Sequence, residues 1–528
     1  MPRLCSAAEL EALRADIVSR RDPTAPCISV CAGAGCDAAH SAEVVDALRE
    51  EAAKNGLTIK VTGCHGFCEK GPNIIVTPGE FCYFGVAPED APGIVAGTAK
   101  GVPIDEVPFY KQQMRLLIGD NPRIDPMRID DYLALGGYAA LSKALFEMTP
   151  DQVLEEVKKA NLRGRGGGGF PAGQKWETTK KAPADEKYVI VNGHEGEPGA
   201  FMDRALFTGN PHKVLEGLII GAYAIGAHQG FIYTRHDSPQ LIEHIETALA
   251  QAQEYGLLGQ NILGSGFNFK VDVHFDVGIF VSGESSALMR SIEGNPPEPR
   301  PKYIRTSVSG IWDKPSNLNN VETWANVPQI ISRGAAWYAA IGTEGSKGTK
   351  LVSLSGHVVN SGVVEVPMGT PLRTIVHDIG GGVPGGKPPK ALHFGGPMGG
   401  SIPVRLIDTP LDFDALAKLG APIGAGGLLV MDEETDMVDV ARYFLDFLTS
   451  ESCGKCVPCR EGMLQMLKIL TNMTNGKGRN GDIGRLEDLS EVTGMACLCA
   501  LGKTSCDPLR SMLRYFREEY EARIPGAG

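Results

Sequence analysis

Thirteen cysteines are gathered at the two ends of this 528-residue chain, and that distribution limits what the ends can become. Cys5, Cys27, Cys31, Cys36, Cys64, Cys68 and Cys82 lie in the first hundred residues, and Cys453, Cys456, Cys459, Cys497, Cys499 and Cys506 lie after residue 450. The long middle has none. Such ends close either on disulfides or on metal, and the compartment decides between them. The N-terminus carries Glu9, Glu11 and Asp16 and has no apolar core, so no secretory leader is expected. The longest apolar runs, such as Leu218 to Ala227, are too short to span a bilayer. A cytoplasmic location with reduced thiols follows, and metal becomes the expected use of the clusters.

In the N-terminal cluster, Cys31 and Cys36 form C-x4-C and Cys64 and Cys68 form C-x3-C. Each pair follows a short predicted strand, Ile28 to Val30 and Leu57 to Val61, with a helix over Ala42 to Asn55 between them. Asn73 to Thr77 and Phe81 to Phe84 read as a hairpin. Four thiolates on two neighbouring loops suit a [2Fe–2S] cluster. Four-cysteine zinc sites are the alternative, although zinc ribbons favour C-x2-C. At the other end, Cys453, Cys456 and Cys459 form C-x2-C-x2-C, and Cys497, Cys499 or Cys506 can supply a remote fourth thiolate. Three close thiolates with one distant partner are a strong [4Fe–4S] signal.

Between the clusters lies Leu162 to Trp176, LRGRGGGGFPAGQKW. Gly166 to Gly169 carry no Cβ, so this loop can bring main-chain N–H groups against a bulky anion. Arg163, Arg165 and Lys175 add positive charge, and Phe170 adds a flat apolar face. The pattern is neither G-x-G-x-x-G in a dinucleotide fold nor a triphosphatase loop ending in Gly-Lys-Ser/Thr. After it, strands (Tyr188 to Val191, Phe231 to Tyr233, Asn268 to Phe275) alternate with helices (Pro211 to Ala227, Pro239 to Ala252, Ser285 to Glu293), which predicts a parallel α/β sheet. Ligands of such sheets sit at the carboxyl ends of the strands. VNGHEGEPGAFMDR, with Glu195 and Glu197, and FVSGESSAL, with Glu284, fall there. SNLNNVETWANVP adds Asn319 and Asn320. Carboxylates and amides of this kind hydrogen-bond ribityl hydroxyls or ring edges, or simply cap helices and turns. The net charge of −12 argues against a nucleic-acid partner.

Two resemblances organise these motifs. CAGAGC followed by GCHGFCEKGPNIIV, within 26–86, resembles the thioredoxin-like [2Fe–2S] ferredoxins, which implies that Cys31, Cys36, Cys64 and Cys68 are ligands. From about 109 to 524 the glycine loop, VNGHEGEPGAFMDR, the GES stretch and LNNVETWANVP resemble the NADH-binding flavoprotein subunit of respiratory complex I. They resemble still more its relatives in soluble NAD-linked hydrogenases, formate dehydrogenases and anaerobic aromatic-ring reductase complexes. The resemblance implies FMN held by Gly164, Arg165, Gly166, Gly167, Lys175, Asn192, Glu195, Gly283, Glu284, Asn319 and Asn320. Phe170, Lys175 and Glu197 would face the nicotinamide nucleotide, and the S-L-C-x-L-G pattern selects Cys499 as the fourth ligand beside Cys453, Cys456 and Cys459. The chain departs from the family at His194, where N-A-D-E is usual, and at Ser282 and Ser285, where Y-I-C-G-E-E is usual.

The expected architecture is a multidomain α/β chain. It comprises a thioredoxin-like [2Fe–2S] domain (1–100), a linker and helix (101–148), an FMN- and NADH-binding α/β domain (149–345), a ubiquitin-like β-grasp (346–434) and a helical [4Fe–4S] domain (435–528). The expected activity is hydride exchange between NAD(H) and FMN, with single electrons leaving through [4Fe–4S]. No side chain is expected to act as acid or base. The partners implied are redox subunits of a soluble complex, namely a small [2Fe–2S] subunit and a larger catalytic or iron–sulfur subunit. A flavin and iron–sulfur relay that has lost nucleotide turnover is the alternative.

Overall fold

The structure, a computed structural model, describes residues 3–525. At its centre four parallel strands lie in the order Lys270–Phe275, Gln229–Thr234, Tyr188–Gly193, Ser316–Asn320. The first strand to form in chain order, Tyr188–Gly193, is interior. The chain steps outward twice and then crosses back to its other side, so the strand order reverses between Tyr188–Gly193 and Ser316–Asn320. That reversal opens a crevice at their carboxyl ends. Tyr188–Gly193 is apolar because both of its faces are covered. Ser316–Asn320 is polar and nevertheless largely buried, which hid it from a hydrophobicity reading.

Helices seal the sheet. Pro211–Ile225 is buried almost all round, as its apolar sequence requires. It approaches Val321–Arg333 closely because Gly217 has no side chain: a Cβ there would stand 2.0 Å from the Trp324 carbonyl oxygen. Trp176 and Trp324, both fully buried, pack with ring centroids 5.3 Å apart. The Trp324 Nε1 donates to the Ile190 carbonyl (3.0 Å), tying helix to strand.

The N-terminal sheet has the order Thr58–Thr62, Cys27–Cys31, Ile74–Thr77, Phe81–Tyr83, Val102–Pro103. Its first pair is parallel and the remainder antiparallel. Two expectations change here. The helix Ala7–Ser19 buries Leu10 and Ile17 in the core of the central α/β unit rather than against this sheet. The stretch read as a linker is packed: Phe109, Leu117 and Ile118 are buried, and the Leu117 and Ile118 N–H groups donate to the buried Glu365 carboxylate. Its prolines and charges mark short turns between buried anchors.

A third sheet, mixed, runs Gly362–Pro367, Thr349–Gly356, Gly427–Asp432, Pro389–Phe394, Gly400–Pro403. The chain ends in helices Met437–Ser450, Val457–Thr474, Asp482–Ala496 and Asp507–Tyr515 around their own apolar core. No described helix is long and apolar enough to cross a membrane.

Candidate functional site

The helix Pro150–Lys159 opens with a capping box, in which Thr149 and Gln152 satisfy each other's free main-chain N–H. It delivers the chain to Arg163, where the glycine loop begins. The loop is a closed hoop: Gly164 N–H donates to Phe170 O (2.9 Å), Ala172 N–H to Leu162 O (2.8 Å), and Arg163 Nε to Gly169 O (2.7 Å). The Arg163 guanidinium also holds Asp414 at 3.0 Å. The hoop lies on the strand-switch crevice, where a Cβ on Gly166 would stand 2.8 Å from Asn320 Cβ. Gly167 and Gly169 have φ of +119° and +56°, a region that favours glycine. An antiparallel bridge joins Gly167 to Gly424, and a Cβ on Gly168 would meet nothing within 4 Å, so the loop is tied at one point and open beside it.

The other expected residues surround this hoop in several roles. The Lys175 amine is buried, donates to Leu318 O (2.9 Å), and is pushed down to about 8 by burial and by Lys302. Phe170 is half exposed and presents its ring. The Arg165 side chain turns inward to Tyr338 and Lys347 O, while its N–H donates to Thr323 Oγ1 (2.9 Å), so it anchors the loop from behind. Asn192 donates to Gly283 O (3.0 Å) and so joins two crevice walls. Glu195 accepts from the N–H groups of Asp203 and Arg204 at the start of Met202–Gly209. Glu284 caps Ser285–Ile292, and Asn320 caps Val321–Arg333. With its amide oriented to satisfy both ends, Asn319 donates to Leu318 O and accepts from Trp176 Nε1. Glu197 is half-buried with its Oε1 enclosed and unpartnered, and desolvation, then Glu195, pushes its carboxyl up to about 7.

Two groups of residues came to light only in three dimensions. Beneath the crevice, Lys350 and Glu322 form a fully buried ion pair, with Arg165 Nε 3.8 Å from the second Glu322 oxygen. Glu322 sits inside NNVET, but nothing in the sequence points to Lys350 as its partner. At the carboxyl end of Lys270–Phe275, Asp276 lies between two histidines: His194 Nε2 is 3.1 Å away and His236 Nδ1 2.7 Å. Asp276 is held below the ordinary carboxylate range, its histidine contacts overcoming burial. Ser282 Oγ donates to Ile279 O (2.6 Å) and stands 3.0 Å from the same His194 nitrogen. Two of the departures from the family pattern, His194 and Ser282, are therefore one hydrogen-bonded pair.

The thiols sit to either side. Cys31, Cys36 and Cys64 are buried and Cys68 half-buried. Cys64 and Cys68 Sγ stand 3.9 Å apart, and Asn73 Nδ2 reaches Cys36 Sγ at 3.7 Å. This region abuts the Met202–Gly209 helix: Asn121 Nδ2 donates to Cys64 O (2.9 Å), and a Cβ on Gly63 would stand 2.1 Å from Gly209 Cα. On the other side, Cys456, Cys459 and Cys497 place their Sγ atoms within 4.8 Å of one another. Cys453 is close enough to Cys459 and Cys456, and Cys499 to Cys453, to be felt electrostatically. The Phe280–Gly283 turn links the two regions. It leads into Glu284, while Phe280 packs on Phe447 (centroids 5.3 Å) and its N–H donates to Glu451 (2.6 Å).

Comparison with known proteins matches this layout. Residues 157–329 match the Nuo51 FMN-binding domain, and 439–523 match the NADH-ubiquinone oxidoreductase-F iron–sulfur binding region. The NADP-reducing hydrogenase subunit HndC of Solidesulfovibrio fructosivorans is 48% identical over 414 residues, 78% of this chain and 84% of that protein. The chain belongs to the NADH-ubiquinone oxidoreductase-F family. The corresponding NADH-quinone oxidoreductase subunit of Escherichia coli is 40% identical over 404 residues, 76% of this chain and 90% of that one. A solved chain of an NAD+-reducing [NiFe]-hydrogenase in the H2-reduced state superposes with a TM-score of 0.70 at 26% identity, covering 99% of this chain and 94% of that chain. As a member of this family, the protein is an FMN- and iron–sulfur-binding electron-transfer subunit of an oxidoreductase.

Proposed function

We propose that this chain exchanges hydride between NAD(H) and FMN, and passes electrons singly through a [4Fe–4S] cluster at Cys453, Cys456, Cys459 and Cys499 to other redox subunits. A [2Fe–2S] cluster at Cys31, Cys36, Cys64 and Cys68 would serve a second partner. Bound FMN supplies the conversion between a two-electron hydride and single electrons.

The residues fit that group. The loop from Gly166 to Gly169 carries no side chain and is open at Gly168, where a Cβ would meet nothing within 4 Å, so phosphate oxygens can approach its main chain. The Lys175 amine has one protein acceptor and three donors when charged, so it keeps capacity for a ligand. The exposed Phe170 ring offers a stacking face to a nicotinamide. Glu195, Glu284 and Asn320, as helix caps, hold the crevice walls in register. The Phe280–Gly283 turn carries most of the reading, because one short segment both joins the crevice wall and packs on Met437–Ser450, the helix that leads into the Cys453 loop.

Ser285, where the resemblance places a second glutamate that helps hold the dinucleotide, and His194 favour one second reading, a relay that binds flavin without nucleotide turnover. Stopped-flow mixing of the FMN-loaded protein with NADH separates the two. Turnover predicts bleaching of the flavin absorbance; a flavin that stays oxidised would favour the relay.

A further inference from the structure

Five cysteines lie in the region where a four-iron cluster uses four, and the three whose Sγ atoms come together are Cys456, Cys459 and Cys497. Cys497 ends the helix Asp482–Ala496, and Cys499 precedes Ala500–Thr504. The backbone at both is extended, with φ, ψ of −70°, 150° at Cys497 and −116°, 178° at Cys499. Both cysteines are buried, while Leu498 between them is more exposed. Cys497 is the one whose Sγ lies within 4.8 Å of both Cys456 and Cys459. Room for it is made by Gly502, where a Cβ would stand 2.6 Å from Cys497 Sγ and 3.3 Å from Cys459 Cβ. The space beside Cys459 is thus shaped around this additional thiol. Cys506, also buried, lies outside the group.

We propose that Cys497 and Cys499 are interchangeable ligands at the fourth iron of the C-terminal cluster, one bound and the other held as a spare. The exchange moves no electrons. The Fe–S bond to Cys499 breaks as one to Cys497 forms, and the proton of the incoming thiol passes to the outgoing thiolate. This rests on the reading that the region holds a four-iron cluster.

The test uses the full chain, reconstituted anaerobically with iron and sulfide, as wild type, Cys497→Ala, Cys499→Ala and the double variant. Iron per chain and the electron paramagnetic resonance spectrum of the reduced protein are measured. Each single variant is expected to keep the wild-type iron content, with Cys499→Ala showing shifted g values, and the double variant to lose about four irons per chain. Cys499→Ala losing as much iron as the double variant overturns the proposal, as does the same loss in Cys497→Ala. If Cys499→Ala does not fold, Cys499→Ser with and without Cys497→Ala gives the same comparison. A wild-type chain that shows no four-iron signal overturns the underlying reading instead, so the two failures are told apart.

Discussion

Glu197 gives the sharpest quantitative prediction. It is half-buried, its enclosed Oε1 meets no donor, and the bare positions Gly396 and Gly427 let it press against the third sheet. It borders a cavity of about 210 Å3 with His393, Tyr443 and Phe444. Burial, and then the neighbouring Glu195, push it from an ordinary 4.5 to about 7, against the pull of Lys350. Between those two values the folded protein holds a proton that the unfolded chain has released. Stability therefore falls as pH rises through this window, and the whole cost is present above about pH 7. At about 1.4 kcal/mol per pH unit, the penalty is about 3 kcal/mol. Glu197→Gln removes the titration. In the flavin-free protein, where ligand binding does not mask the effect, urea unfolding should give a variant whose advantage over wild type grows by about 3 kcal/mol from pH 4.5 to 8. An advantage that stays constant over that range, or shrinks as pH rises, would refute the reasoning.

Other perturbations probe the rest of the site. Lys350→Met removes the nearer of the two cations beside buried Glu322, leaving Arg165 at 3.8 Å, and should cost up to about 3 kcal/mol in urea unfolding and weaken FMN retention. Gly166→Ala drives a methyl into Asn320 and should lower the melting temperature of flavin-free protein. Gly168→Ala, which meets open space, should leave that temperature unchanged and still weaken FMN binding by equilibrium titration, since the methyl enters the cradle. Cys64→Ala with Cys68→Ala should remove about two irons per chain and leave FMN stoichiometry intact, checked by iron and flavin analysis.

The elements legible in the sequence were those with clear periodicity. The three apolar strands and the helices between them follow from alternation and caps, and the helices around Cys453 from their amphipathic pattern. Ser316–Asn320 was not legible as a strand, because its Ser and Asn residues resemble a turn and are stabilised only by neighbours. The 101–128 stretch resembles a linker for a similar reason: its buried Phe109, Leu117 and Ile118 are isolated between prolines and charges. The glycine hoop and both thiol groups were visible as patterns. Which side chains would turn inward was not. Glu195, Glu284 and Asn320 cap helices, and Lys350 finds Glu322 across 28 residues, a separation no local period encodes. The room that Gly502 leaves for Cys497 beside Cys459 is a packing fact without a linear signature.

The central claim is that the glycine hoop grips FMN and that hydride from a nicotinamide nucleotide enters there and leaves as single electrons. The most direct measurement is stopped-flow absorbance of the anaerobically purified, FMN- and iron–sulfur-loaded chain mixed with NADH. The account predicts about one FMN per chain, loss of flavin absorbance, and subsequent reduction of the iron–sulfur absorbance. A chain that takes up no FMN, or whose bound FMN stays oxidised in excess NADH, would contradict it.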